Sequence, residues 1–138
     1  MGLLSENRPE WTFADLGILS LRAIVVPLYP TSSVQDVAYI IENAGIEVLF
    51  VSSKEQVERL QPILSANKGI RCVVVFDSIS SDLGKIIGLG ELFERGRREN
   101  FNNSNLYEQL VAQGQPEDVA TLIYTSGRLM KHKSYIQL

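Results

Sequence analysis

IEVLFVSSKEQVERLQPILSANKGIRCVVVF, residues 46–76, reads as strand, helix, strand. Val48-Leu49-Phe50-Val51 is a continuous apolar run, short for a helix and without the polar alternation of a strand that faces water. Ser53 then offers an oxygen to the free N–H groups of a helix from Lys54 to about Ala66, whose Val57, Leu60, Ile63 and Leu64 recur at helical spacing. Cys72 to Phe76 is a second apolar run of the same kind. Two strands with both faces buried and one helix between them predict a parallel pair joined by a right-handed crossover.

The pattern repeats toward the N-terminus. Pro9 suits the first turn of a helix, where its missing N–H is not needed, and Glu10 suits the helix dipole. That helix is predicted to reach about Ala23. Trp11, Phe13, Leu16, Ile18, Leu19 and Leu21 spread over more than one face, which predicts a core helix covered on several sides. Ile24-Val25-Val26 reads as a short buried strand ended by Pro27 and Pro30. Ser32 or Ser33 can cap a helix through about Asn43, with Val34, Val37, Ala38, Ile41 and Ala44 inward and Gly45 past its end. Repeated strand–helix units give the α/β class, a parallel sheet flanked by helices.

Toward the C-terminus the signal weakens. Residues 78–90 are rich in Ser and Gly and read as a surface excursion. Leu92-Phe93 opens a short helix, and residues 100–105 form a polar linker. After Pro116-Glu117-Asp118, residues 120–124 read as a further buried strand that delivers Thr125, Ser126 and Gly127 to its carboxyl end. Open α/β sheets bind ligands at that edge. Two hydroxyl donors and a flexible glycine suit a polyphosphate, although an ordinary Ser/Gly turn has the same residues. Neither G-x-x-x-x-G-K-[ST] nor G-x-G-x-x-G is present.

Composition narrows the function classes. A chain of 138 residues fits one domain, and 45% hydrophobic with 21% charged residues is the balance of a globular protein. Sixteen acidic against 13 basic residues give a net charge of -3, which argues against nucleic acid as a partner. Arg95, Arg97 and Arg98 read as a solvated helix face, and Arg128, Lys131 and Lys133 as a solvated tail. Cys72 is the one cysteine, so no intrachain disulfide can form; it reads as a small buried apolar residue and fits a reducing cytoplasm. No signal peptide and no transmembrane segment is read from the sequence, so the expectation is a cytoplasmic chain, at most peripheral at membranes. His132 stands at no catalytic or metal spacing, and Tyr29 and Trp11 are assigned to core packing.

Three stretches carry a family resemblance. Ser5-Glu6-Asn7-Arg8-Pro9-Glu10-Trp11, then Val26-Pro27-Leu28-Tyr29-Pro30-Thr31 with Tyr39-Ile40-Ile41-Glu42-Asn43, and finally residues 116–127 together closely resemble the long-chain fatty-acid–CoA ligases (acyl-CoA synthetases) of the AMP-binding, adenylate-forming superfamily. The resemblance covers about residues 3–127. It implies that residues 1–127 are part of the large N-terminal domain of such an enzyme. It implies ATP, Mg2+ and CoA as cofactors and co-substrates, with a fatty acid as substrate. A fatty-acid carboxylate attacks the α-phosphate of Mg-ATP, pyrophosphate leaves, and CoA thiol then displaces AMP.

In the family the loop runs Thr-Ser-Gly-Thr/Ser-Thr-Gly-x-Pro-Lys-Gly and holds the β- and γ-phosphates. Thr125, Ser126 and Gly127 match it and are the implied cofactor-binding residues; no catalytic residue and no metal ligand is assigned. Arg128, Leu129, Met130, His132 and Ser134 depart from the pattern, and Lys133 alone coincides with it. Residues 128–138 are therefore expected to be a divergent tail of the kind a frameshift produces. Gly2-Leu3-Leu4 resembles the end of a strand. The chain is expected to be a fragment, inactive by itself and able to self-associate through exposed sheet edges. Two other readings stand beside this one: a non-catalytic interaction module, and an independent flavodoxin-like nucleotide-binding domain.

Overall fold

Ser33 and Ser53 each accept the backbone N–H three residues on, from Asp36 at 3.1 Å and Gln56 at 3.4 Å, so two helices begin where the sequence places them. A computed structural model describes residues 1–79, 84–125 and the backbone of 133–137. Its first elements are β1 (Gly2–Leu4), α1 (Pro9–Ser20), β2 (Val26–Leu28), α2 (Val34–Asn43), β3 (Val48–Val51), α3 (Lys54–Ala66) and β4 (Cys72–Val75). There follow β5 (Ile86–Gly88), α4 (Leu89–Asn102), α5 (Leu106–Val111), β6 (Thr121–Thr125) and β7 (Lys133–Gln137).

β1 to β5 form one parallel sheet in the order β2-β1-β3-β4-β5. The chain leaves β1 toward β2, returns past β1 to β3, and continues outward. With right-handed crossovers that reversal sends helices to opposite faces. Side chains alternate accordingly. Leu4, Leu49, Val51, Val73 and Val75 pack with Val37, Ile41, Leu60 and Leu64 of α2 and α3. Leu3, Phe50, Val74 and Ile87 pack on the other face with Ala14 and Ile18 of α1, against which Leu89 and Leu92 of α4 also lie. The α/β class and the parallel sheet flanked by helices are thus the observed architecture.

Several local expectations are corrected. β2 runs through Pro27 instead of ending there. Val26 N–H donates to Met1 O at 2.9 Å, whereas Val25 faces the opposite side, donating to Ala120 O and accepting from Leu122 N–H, both at 2.9 Å. Pro27 points the same way as Val25 and has no N–H, so β6 joins the sheet through the single parallel bridge Val25–Thr121. β6 is accordingly half-buried from Thr121 to Ile123, with Tyr124 its one buried residue. It also pairs antiparallel with β7, a strand lying in the expected divergent tail.

β5 lies inside the expected surface excursion, and α4 is a long helix running into the expected linker. α1 ends at Ser20 and is not covered on several sides: Ala14 and Ile18 are buried, but Phe13 is 62% and Leu16 60% exposed. The sheet takes one face of α1, and Phe13 and Leu16 on its other side stay exposed among the described residues. Cys72 is half-buried against the second core cluster.

Candidate functional site

The sheet order places its switch point between β1 and β3, and Arg8 spans that edge. Arg8 Nη1 donates to Ser52 O at 3.3 Å and to Asp77 Oδ1 at 2.9 Å, while Nε donates to Glu10 Oε2 at 2.8 Å. Its guanidinium carbon lies 5.7 Å from the centre of the Phe76 ring. The hydrogen bond to Glu10, then that to Asp77, hold Arg8 protonated even more firmly than a free guanidinium. This arginine ties the carboxyl ends of β1, β3 and β4 together.

An open cleft of about 400 Å³ lies instead at the carboxyl ends of β2 and β6, lined by Leu28, Tyr29, Ser32, Asp36, Tyr124 and Thr125 among others. One wall is the turn after β2, closed by Ser32 N–H donating to Tyr29 O at 3.0 Å with Pro30 inside it. Arg59 of α3 supports that turn from below, its Nη1 donating to Ser32 O at 3.0 Å. Asp36 Oδ2 accepts Ser33 Oγ–H at 2.7 Å. The other wall is β6. Tyr124 donates its hydroxyl to Asn43 Oδ1 at 2.6 Å, and its ring meets Tyr39 edge-on at 6.4 Å. Burial, and secondarily Tyr39, push the Tyr124 phenol above its ordinary value, so it remains a neutral donor at physiological pH.

Of the predicted phosphate-binding residues, Thr125 lies exposed at the end of β6 on this cleft, opposite Lys133 in the β7 register. Ser126 and Gly127 lie outside the described residues, as do Arg128, Leu129, Met130, Lys131 and His132. Tyr29 is 68% exposed on the cleft wall, not packed in the core. Trp11 does pack, partly buried, against the α1 face of the core. Sequence reasoning missed Tyr124 and Asn43 as a linked pair. A tyrosine ending an apolar strand was the available signal, since a buried phenol seeks a partner. Among the described residues no group of three or more His, Cys, Asp or Glu could hold a metal ion. No helix among them is long and apolar enough to cross a membrane.

The start of β6 is fixed by charge. Arg22 Nε and Nη2 donate to Asp118 Oδ2 and Oδ1, each at 2.8 Å, a forked pair on the turn just before the strand. Arg22, and secondarily the Gln115 N–H, draw the Asp118 carboxyl down from 3.8 to about 2. A depressed carboxyl contributes stability that is fully present above its unfolded value and is lost as pH falls through its folded value. The contribution is therefore constant from neutral pH to about 4 and disappears toward about 2. A carbon-detected NMR titration is expected to find the Asp118 midpoint near 2; an ordinary midpoint of 3.8 would mean that the pair does not form.

Comparison with known proteins adds the family. The pattern of the AMP-binding enzyme family matches residues 1–127. Long-chain-fatty-acid–CoA ligase 1 of Cavia porcellus is 30% identical over 133 residues, covering 92% of this chain and 18% of that protein. The peroxisomal long chain acyl-CoA synthetase 6 of Arabidopsis thaliana is 33% identical over 135 residues, again 92% of this chain and 18% of the relative. The chain thus spans about a fifth of the length of these relatives. Among solved structures, a natural red emitting luciferase from Phrixothrix hirtus superposes with a TM-score of 0.74 at 14% identity, covering 98% of this chain and 25% of that one. At that identity the likeness concerns the fold.

Proposed function

The chain belongs to the AMP-binding enzyme family, and from that premise we propose that it is the part of a long-chain fatty-acid–CoA ligase that presents the end of β6 to the phosphates of ATP. The observation that carries this reading is the position of Thr125: a hydroxyl at the carboxyl end of a strand, exposed on a cleft walled by a Tyr-Pro-Thr-Ser turn. Ser126 and Gly127 would continue the contact to the β- and γ-phosphates. Donors aimed at those oxygens stabilise the charge that grows on departing pyrophosphate. The fatty-acid carboxylate would supply the attacking oxygen, and CoA thiol would displace AMP from the acyl-adenylate.

The cleft suits part of a nucleotide, with hydroxyls from Tyr29, Ser32 and Thr125 around it. It does not suit magnesium in the same way. Among the described residues Asp36 is its one lining carboxylate, already engaged by Ser33, so no step is assigned to a metal held by these residues. The same reading carries action in the cytoplasm, at most peripheral at membranes.

These 138 residues by themselves are inactive in this reading, because Arg128, Leu129 and Met130 depart from the phosphate-loop pattern immediately after Gly127. A side chain at Met130 stands where the family's glycine lets backbone approach phosphate. Fatty-acid-dependent ATP–pyrophosphate exchange by the pure chain is expected to equal a buffer blank, and exchange above the blank would overturn this. A non-catalytic docking role is the second reading, favoured by the exposed Phe13 and Leu16 and by the outer edges of β5 and β7. The flavodoxin-like alternative has the matching strand order, but the family match over residues 1–127 favours the ligase reading.

A further inference from the structure

Helix α1 closes with a double backbone bond: Ala23 N–H donates to Ile18 O at 3.2 Å and Arg22 N–H to Leu19 O at 2.9 Å. That pairing requires a left-handed residue at the position of Arg22, where glycine is usual. Arg22 adopts φ of 58°, the one non-glycine residue with positive φ among those described. A side chain in this conformation is disfavoured, so its retention calls for a gain elsewhere. The gain is visible at the tip, where both guanidinium N–H groups meet both oxygens of Asp118.

Asp118 in turn shapes the turn that launches β6: Gln115 N–H donates to its Oδ2 at 2.9 Å and Asp118 N–H to Gln115 O at 3.0 Å. β6 needs such an anchor because Pro27 leaves it one bridge to the sheet. We propose that Arg22 is a positioning residue, a latch between the end of α1 and the start of β6 that holds this strand, and with it Thr125, on the edge of the sheet. That Thr125 then serves phosphate binding rests on the reading above; the latch is tested without it.

Exposed ion pairs contribute little as a rule, but forked geometry within a network is the exception. Two variants separate a latch from an ordinary helix cap. Arg22→Gly relieves the left-handed strain yet removes the fork, and Asp118→Asn weakens the fork without touching α1. Native-state hydrogen exchange on the full chain reads the Leu122 amide, which donates to Val25 O, against the Phe50 and Val74 amides in the sheet interior. Both variants are expected to speed Leu122 exchange by about three- to tenfold relative to those references, with the double variant no faster than the faster single one. Arg71→Ala, which breaks an exposed pair with Glu47 elsewhere, is expected to leave that ratio unchanged. An unchanged Leu122 ratio in either β6 variant, or acceleration shared equally by Phe50 and Val74, would overturn the proposal.

Discussion

Leu49→Ala is expected to lower the unfolding free energy by about 3 kcal/mol, read as a shifted urea midpoint with an unchanged slope. Leu49 is 0% exposed on β3, flanked by β1 and β4 and packed in the cluster that α2 and α3 cover. Neighbours held from both sides cannot collapse into the space, so the transfer loss and the cavity add. The effect is large beside the total of about 5–15 kcal/mol typical of a domain. This chain is expected near the low end, since Phe13, Leu16 and Phe101 remain in water. A Cβ on Gly2 would stand 2.8 Å from Leu49 Cδ1, too close for the native pair. Ile46 Cδ1 at 3.0 Å crowds the same position, so Gly2→Ala is expected to destabilise as well. If Leu49→Ala cost under about 1 kcal/mol, β3 would not be the strand around which this core packs.

The sequence was most legible where local signals and tertiary demand agree. β3 and α3 lie at their predicted boundaries because an uninterrupted apolar run, a serine cap and a 3.6-residue stripe all report the same burial. β5 was illegible: Ile86 and Ile87 are its only large apolar residues, three residues show no period, and the strand exists because Val74 offers a neighbour. α4 has no buried residue, so an apolar stripe could not announce its length. Its charges could have, since Glu91–Arg95 and Glu94–Arg97 pair at helical spacing. The cleft was half legible. Thr125 followed from a strand end, but Tyr29 was assigned to the core because an aromatic beside two prolines does not declare which way it faces. The Arg22–Asp118 pair joins residues 96 apart and leaves no local trace.

Joined to the remaining region of a long-chain ligase relative, with that relative's loop following Gly127, residues 1–127 are expected to support adenylation, and Thr125→Ala with Ser126→Ala is expected to slow it by about tenfold or more. In the proposed reading the two hydroxyls act mainly through the extra charge that grows as pyrophosphate separates, so the loss should fall on kcat and kcat/KM together while KM for ATP moves little. The alanine at Thr125 also isolates chemistry from folding, because Thr125 is exposed and contributes no core packing. Tyr124, one residue earlier, keeps its hydroxyl on Asn43 in the variant, so β6 should end where it does now. A double variant running at full rate would reduce Thr125-Ser126-Gly127 to a turn that happens to follow a strand. A rate lost together with a raised KM for ATP would make the hydroxyls ground-state contacts, holding nucleotide without speeding its cleavage.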